Sequence, residues 1–235
     1  MVAIDRVKTG LLGYDRLLKG GYLPSSVNLI SGVSGAGKTL FALSFIYQGT
    51  KKYDEPGLFI SLEESFEWLK QNSKPIGIDM SHPGSKISVY DVGALRKTLY
   101  STRQEMESKD KSPFRFGNLY RFIRLNYPDI KRLAIDSVVP ISIVYESKKE
   151  YRSSLFRFAR KLRDAGITSV LTTELEKDGD GLSRFGTEDV ISDSVTILRS
   201  KDHKGSIRIH KMRGSDHFKG NARYRISSKG ISITK

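Results

Sequence analysis

The sequence predicts an α/β fold: a three-layer core around a mainly parallel sheet, with an antiparallel β extension at the C-terminal end. Three observations predict it. Short apolar runs at 27–30, 57–62, 87–91, 132–136 and 168–174 alternate with stretches of helical periodicity. The first run leads directly into Gly32-Val33-Ser34-Gly35-Ala36-Gly37-Lys38-Thr39, which fits the phosphate-binding pattern G-x-x-x-x-G-K-[ST]. From Val190 onward the apolar period drops to two. Residues 1–235 are enough for one large α/β domain with a full core, and are read as one.

Taken in order, residues 5–25 hold Gly10, Gly13, Gly20, Gly21 and Pro24 around an amphipathic piece at 14–18. They predict a lead-in helix, a Gly-Gly turn and entry into the first strand. The phosphate loop follows, and 39–47 reads as a helix with Leu40, Leu43, Phe45 and Ile46 as its apolar faces. Strand, loop and helix in that order aim backbone N–H groups and the helix dipole at a polyanion. Lys38 is placed to reach β- and γ-phosphates, and the Thr39 hydroxyl to ligate Mg²⁺. The second strand, 57–62, ends in Glu63-Glu64, at the edge where ligands of open α/β sheets bind. One carboxylate there can activate a water against the γ-phosphate. The competing reading makes them first-turn residues of a helix over 65–74, and it is stronger for Glu64 than for Glu63. Trp68, the only tryptophan, is expected in the core with Phe66 and Leu69.

Residues 87–91 read as a third strand. A basic, mostly helical region covers 94–126, with Arg96, Lys97, Arg103, Lys109, Lys111, Arg115, Arg121 and Arg124, broken by a loop over 108–113. It is either a solvated face or, with Phe114, Phe116 and Tyr120 interleaved, a nucleic-acid contact. The strand 132–136 ends in Asp136, where a carboxylate can hold Mg²⁺ through water. Residues 137–145 read as an apolar helix or lumen-facing segment. The helix 151–165 buries Leu155, Phe158, Ala159 and Leu162, shows arginines elsewhere, and stops at Gly166. After 168–174 comes a mobile, locally acidic loop over 174–187. The extension 190–235 has strands at 195–198, 206–209, 224–227 and 231–234, with turns at Lys204-Gly205 and Lys229-Gly230. From Arg199 onward it holds eleven Lys/Arg against Asp202 and Asp216.

Composition bounds function. There is no cysteine, which excludes disulfides, thiolate metal sites and Cys nucleophiles. No apolar run is long enough to span a membrane, and the first residues lack a signal-peptide core, so a cytoplasmic location is expected. The 40 basic residues exceed 26 acidic ones, giving a net charge of +14. A thermophile-like surface would enrich both signs together, so a one-sided excess points to a polyanionic partner, nucleic acid before membrane.

Together these residues resemble the RecA/KaiC superfamily, specifically a single KaiC-type ATPase domain with the RecA-like core, as in archaeal RadA paralogues. The motifs are Gly10 to Gly21 in the arrangement T-G-x-x-G-Y-D-x-x-L-x-G-G, the phosphate loop (Walker A), the strand ending in Glu63-Glu64, Asp136-Ser137 (Walker B), Thr172-Thr173-Glu174, and the Lys211-Met212-Arg213-Gly214-Ser215-Asp216-His217 loop. The resemblance implies ATP and Mg²⁺ as cofactors. It makes Glu63 the base that orients the attacking water, with Glu64 assisting, and Leu40 a backbone contact to the nucleotide. It implies that Lys211 and Arg213 reach the γ-phosphate of a neighbouring subunit, with His217 near that interface; a loop histidine in solvent is the plainer alternative for His217. Ser227-Ser228 stands where the family often has Thr-Asp near the base.

Two functions follow as expectations. The first is a Mg²⁺-dependent ATPase of the RadA-paralogue kind that binds single-stranded DNA and modulates recombination or repair, in company with a recombinase. Residues 139–152 and 175–187 would contact the strand, and the basic 96–115 stretch is a further candidate. The second is a KaiC-like switch that acts through assembly and protein partners without DNA.

Overall fold

The computed structural model describes residues 5–80, 86–91, 112, 114–175, 181–201 and 204–234. The strands are β1 (Val27–Gly32), β2 (Gly57–Ser61), β3 (Ile87–Asp91), β4 (Arg132–Asp136), β5 (Thr168–Glu174), β6 (Ser194–Lys201), β7 (Lys204–Met212), β8 (Asn221–Ser227) and β9 (Gly230–Thr234). They form one sheet in the order β3-β2-β4-β5-β1-β6-β7-β8-β9. Pairing is parallel from β3 through β6 and antiparallel from β6 through β9. The fold is the expected RecA-like α/β core with its antiparallel extension.

Among the described residues the helices are α1 (Leu12–Leu17), α2 (Lys38–Tyr53), α3 (Phe66–Ser73), α4 (Phe116–Asn126), α5 (Lys148–Asp164) and the single turn α6 (Glu188–Ile191). Both faces of the parallel strands are covered, which is why those strands read as unbroken apolar runs rather than alternating ones. On one face α4 and α5 pack Phe116, Leu119, Leu155 and Phe158 against Leu29, Ile60 and Ile135. On the other, α1 and α2 pack Tyr14, Phe41 and Phe45 against Ile30, Phe59 and Val170, and this layer continues under Ile207, Ala222, Tyr224 and Ile233. The opening motif has a direct physical cause. A Cβ on Gly13 would lie 2.4 Å from the Ile233 carbonyl, so only glycine lets α1 sit against β9. The Asp15 carboxylate accepts bonds from the Thr9 amide (2.8 Å) and hydroxyl (2.7 Å), fixing the turn into α1.

Several local expectations are corrected. Trp68 is half exposed, because α3 turns Leu69 and Ser73 inward and leaves Trp68 on the outer side. The α2 helix runs on to Tyr53, beyond the predicted end at 47. Of residues 137–145, read as an apolar helix or lumen-facing segment, only Pro140–Val144 are helical, and as a short 3₁₀ helix. Lys204-Gly205 is not the turn: both residues lie in β7, opposite Lys201 and Ser200. Arg96, Lys97, Arg103, Lys109 and Lys111 of the basic stretch lie outside the described residues.

The sheet edge remote from the phosphate loop is anchored by Arg132, the first residue of β4, whose side chain is 1% exposed. Its guanidinium pairs with Glu55 at 2.5 Å and donates to the carbonyls of Lys8 (2.8 Å) and Phe45 (3.1 Å), while lying over the Phe45 ring. One cation thereby ties the N-terminal segment and α2 to the central sheet. Removing it leaves two carbonyls without their donor, and breaking a buried pair costs several kcal/mol. Arg132→Met is expected to lower stability by about 3 kcal/mol, read as a drop in the urea midpoint at unchanged slope.

Candidate functional site

The phosphate loop joins the end of β1 to the start of α2. Gly35 (φ +76°) and Gly37 (φ +83°) take left-handed backbone, and a Cβ on Gly37 would also lie 2.7 Å from Ile226 Cδ1. Ser34 and Gly35 are exposed at the tip, and Val33 is half-buried. Ala36 is buried, and its carbonyl accepts the Tyr224 hydroxyl at 2.5 Å. The antiparallel extension thus braces the loop from beneath. Sequence reasoning missed this clamp, since its partners are 188 positions apart; Tyr224, the one inward aromatic of β8, was the available signal. Gly37 is the N-cap of α2 and supplies no side-chain cap, and the first turn carries no acidic residue. The N–H groups of Lys38, Thr39 and Leu40 therefore meet no carboxylate of their own helix, as an anion site requires. The Lys38 ammonium arches back to the Val33 carbonyl at 3.2 Å, over the same concavity. This donor set fits the triphosphate of a nucleotide.

The carboxylates gather at the neighbouring strand ends. Asp136 ends β4 and stands opposite Ser61 of β2. It is buried, accepts the Thr172 hydroxyl at 2.5 Å and is hydrogen-bonded by Thr39. Burial pushes its carboxyl above the usual range, while the Thr172 and Thr39 hydroxyls pull it back. Among the described residues no group of three His, Cys, Asp or Glu could cage a metal. The Thr39–Asp136 pair offers two hard oxygens, which suits Mg²⁺, an ion that fills its shell with water and phosphate oxygens.

Glu63 and Glu64 lie between β2 and α3. The competing reading as helix residues is corrected, because Ser65 is the N-cap of α3, accepting from the Trp68 amide. Glu63 is exposed, and its Oε1 accepts the Ser137 hydroxyl at 2.5 Å. The peptide Asp136-Ser137 is cis. Glu64 is half-buried; Ser61 Oγ accepts its amide at 3.1 Å and donates to its carbonyl at 2.5 Å. Its Oε2 is buried with no hydrogen-bond partner among the described residues. Burial first, then the charges of Asp136 and Glu63, push its carboxyl up to about 7.

The remaining predicted residues are not brought to this loop within one chain. Lys211 pairs with Val195, while Gly32 pairs with Leu198 on the same strand. That sets Lys211 roughly 10 Å back from the loop along β6, at about 3.3 Å per residue. Its ammonium, lowered by burial and by Arg213, bonds the Asp189 carbonyl at 2.7 Å. Arg213 bonds the Val190 carbonyl (2.9 Å) and faces Asp193 (3.8 Å). His217 is buried rather than in solvent, and its Nδ1 has no partner among the described residues. Its loop is held down by the Phe218 amide on the Leu17 carbonyl (2.9 Å). Of the segments expected to touch DNA, 139–152 exposes Ile143, Lys148, Lys149 and Arg152, and 176–180 lies outside the described residues.

Comparison with known proteins agrees with this geometry. A family model described as "ATPase: KaiC" matches residues 7–235. The circadian clock oscillator protein KaiC of Parathermosynechococcus lividus is 33% identical over 238 residues, which cover 98% of this chain and 42% of that relative. Its counterpart in Synechococcus elongatus is 32% identical over 240 residues, 98% of this chain and 44% of the relative. The chain spans less than half the length of these relatives. A phosphate loop on a parallel sheet, a Thr–Asp pair beside it and a match along nearly the whole chain agree: this chain belongs to the KaiC family of P-loop ATPases, within the RecA/KaiC superfamily.

Proposed function

We propose that this chain is a Mg²⁺-dependent ATPase domain that works as a switch, with bound nucleotide setting its assembly and its hold on protein partners. The observation that carries this reading is the split of the site. Lys38, Thr39, Asp136, Glu63 and Glu64 share one end of the sheet, and Lys211 and Arg213 lie back along β6 and β7. A second copy, stacked so that this edge meets its phosphate loop, completes each site. The relatives' printed name, a clock oscillator, supports a slow nucleotide-timed switch.

In this reading the loop amides and Lys38 hold the phosphates, and Thr39 and Asp136 hold the ion. When bound between Thr39 and Asp136, Mg²⁺ would supply positive charge to the phosphates. Glu63 is the base: it is exposed, and Ser137 fixes its carboxylate so that the free oxygen can take a proton from water. Glu64, with its carboxyl raised, sits behind it as a neutral acid at lower pH and keeps a second negative charge out of the site. Lys211 and Arg213 neutralise charge on the γ-phosphate of the neighbouring copy, and His217 supports their loop from within.

A second reading is favoured by one observation, the net charge of +14. In it the switch acts on nucleic acid: an ATPase of the RadA-paralogue kind binds single-stranded DNA and modulates recombination or repair beside a recombinase. The two readings share the ATP site and differ in what it controls. Anisotropy of labelled oligo-dT at about 50 mM salt separates them, since phosphate contacts are strongest there. No binding removes the second reading.

Three outcomes test the site. Glu63→Gln is expected to slow ATP turnover by about 10²- to 10⁴-fold with nucleotide affinity retained; normal turnover would remove Glu63 as base. Lys38→Ala and Arg213→Ala are each expected to be inactive alone. Mixed, they should regain activity, because an intact loop of one then meets an intact Arg213 of the other; no recovery would place both residues in one chain's site. Glu64 gives a pH signature. Its carboxyl titrates near 7 when folded and near 4.5 in an ordinary carboxylate, so between those values the native state holds more protons. Stability therefore falls as pH rises through this window. Glu64→Gln is expected to melt higher than wild type at pH 8 and to flatten the fall between pH 5 and 8 in thermal melts.

A further inference from the structure

The four C-terminal strands hold a feature that the ATP site does not use. Their inward positions are mainly apolar, namely Leu198, Ile207, Ile209, Ala222, Tyr224 and Ile233, with Thr196 hydrogen-bonded to the Tyr14 hydroxyl. Because side chains alternate, the residues between them form the other face. Arg199, Arg208, Arg223 and Arg225 stand there, all exposed. Their companions on that face are Lys204, Ser206, His210, Asn221, Ser232 and Thr234, with Val195 and Ile197 of β6 buried in the core, and the described residues of these strands include no Asp or Glu. Among the described residues none of the four arginines has a hydrogen-bond or ion-pair partner.

The register turns these residues into a stripe. Arg199 stands opposite Ser206, Ser206 opposite Arg223, and Arg223 opposite Thr234. Arg208 lies two positions along β7 from Ser206, so it is diagonal to both Arg199 and Arg223. Arg225 is two positions along β8 from Arg223. Each step, from 199 to 208 to 223 to 225, is about 7 Å at sheet spacings. Like charges on one sheet face repel and cost stability, and a face meant only for solvent is better served by mixed signs. Arginine rather than lysine at all four positions suits bidentate recognition of phosphate.

We propose that this arginine face of β6–β8 docks the phosphate backbone of a nucleic-acid strand. The proposal rests on the second reading above. It places the binding surface on the sheet itself, with its Arg199 end next to Leu198, which pairs with Gly32 of the phosphate loop. No Phe, Tyr or Trp ring is turned outward among the described residues of these strands, and the His210 imidazole is the one small ring there on which a base could stack. Binding is therefore to phosphates, tolerant of sequence and steeply salt-dependent.

The test uses the full chain and a labelled oligo-dT, followed by anisotropy at about 50 and 200 mM salt. The wild type is expected to bind with a steep negative salt slope. The triple variant Arg208→Gln, Arg223→Gln, Arg225→Gln is expected to lose at least tenfold in affinity at low salt. Its log–log slope should be shallower by about 2, at roughly 0.7 for each phosphate left without its arginine. A matched variant, Arg157→Gln, Arg160→Gln, Lys161→Gln, removes the same charge from exposed positions of α5 outside 139–152 and should bind nearly as wild type. Absence of wild-type binding would defeat the second reading itself, and this proposal with it. Wild-type binding that the first triple variant keeps, or that both variants lose equally, would overturn this proposal alone. So would an effect of the first variant on ATP-dependent assembly, seen by gel filtration, with binding unchanged.

Discussion

A carboxylate taken out of water must have its charge met, and Asp136 is where this structure meets that constraint. It is almost fully buried at the end of a central strand, and burial alone would drive it neutral. Thr172 from β5 and Thr39 from α2 each give it a hydroxyl, and Lys38 adds positive charge. Meeting Asp136 therefore fixes three elements at once. The strand β5 must be in register beside β4, α2 must begin where Lys38 and Thr39 can reach, and the loop between β1 and α2 must close over the same spot. Two hydroxyls and one ammonium that is not in contact leave a remainder of negative charge, which a divalent cation matches. The phosphate site and the packing of the core are in this sense one requirement.

What could be read from the sequence follows from how local each feature is. The phosphate loop, the strand ending in Asp136 and the helix α5 are written in consecutive residues, and each appears where the pattern places it. Features made by residues far apart in the chain left no comparable trace. The Tyr224 hydroxyl on the Ala36 carbonyl is one, and the Arg132 cluster joining Lys8, Phe45 and Glu55 is another. Trp68 shows the limit within a single helix. Hydrophobicity argued for the core, yet only one side of α3 meets the sheet, and Leu69 and Ser73 take it. Lys204-Gly205 has turn composition, but turn chemistry sets a preference and pairing with β6 decides the register.

The placement of Lys211 and Arg213 follows from sheet topology. Because β6 runs parallel to β1 and β7 returns antiparallel, the end of β7 must fall at the opposite edge from the phosphate loop. No rotamer change carries Lys211 across that span, and both side chains are occupied by the α6 carbonyls and Asp193. The same sheet therefore separates Lys211 and Arg213 from the phosphate loop and leaves them at its opposite end. Opposite ends that complement one another are the geometry of head-to-tail assembly, which closes into rings or runs on as filaments.

The charge excess can be argued in the same way. In the extension, the inward positions are constrained to be apolar because they cover α1 and α2 and brace the loop. Beyond the buried Val195 and Ile197 of β6, the outward positions carry no such constraint, so their composition is free to reflect something other than folding. Nothing in the packing asks for arginine at 199, 208, 223 and 225, and electrostatic repulsion argues against it. A fold that buries Tyr224 and Ile207 would form equally well with threonine or glutamate on the other face. The choice of four guanidinium groups there, with no acidic neighbour on the described strands, is a statement about what that face meets. A flat row of fixed positive charge is met best by a regular row of negative ones.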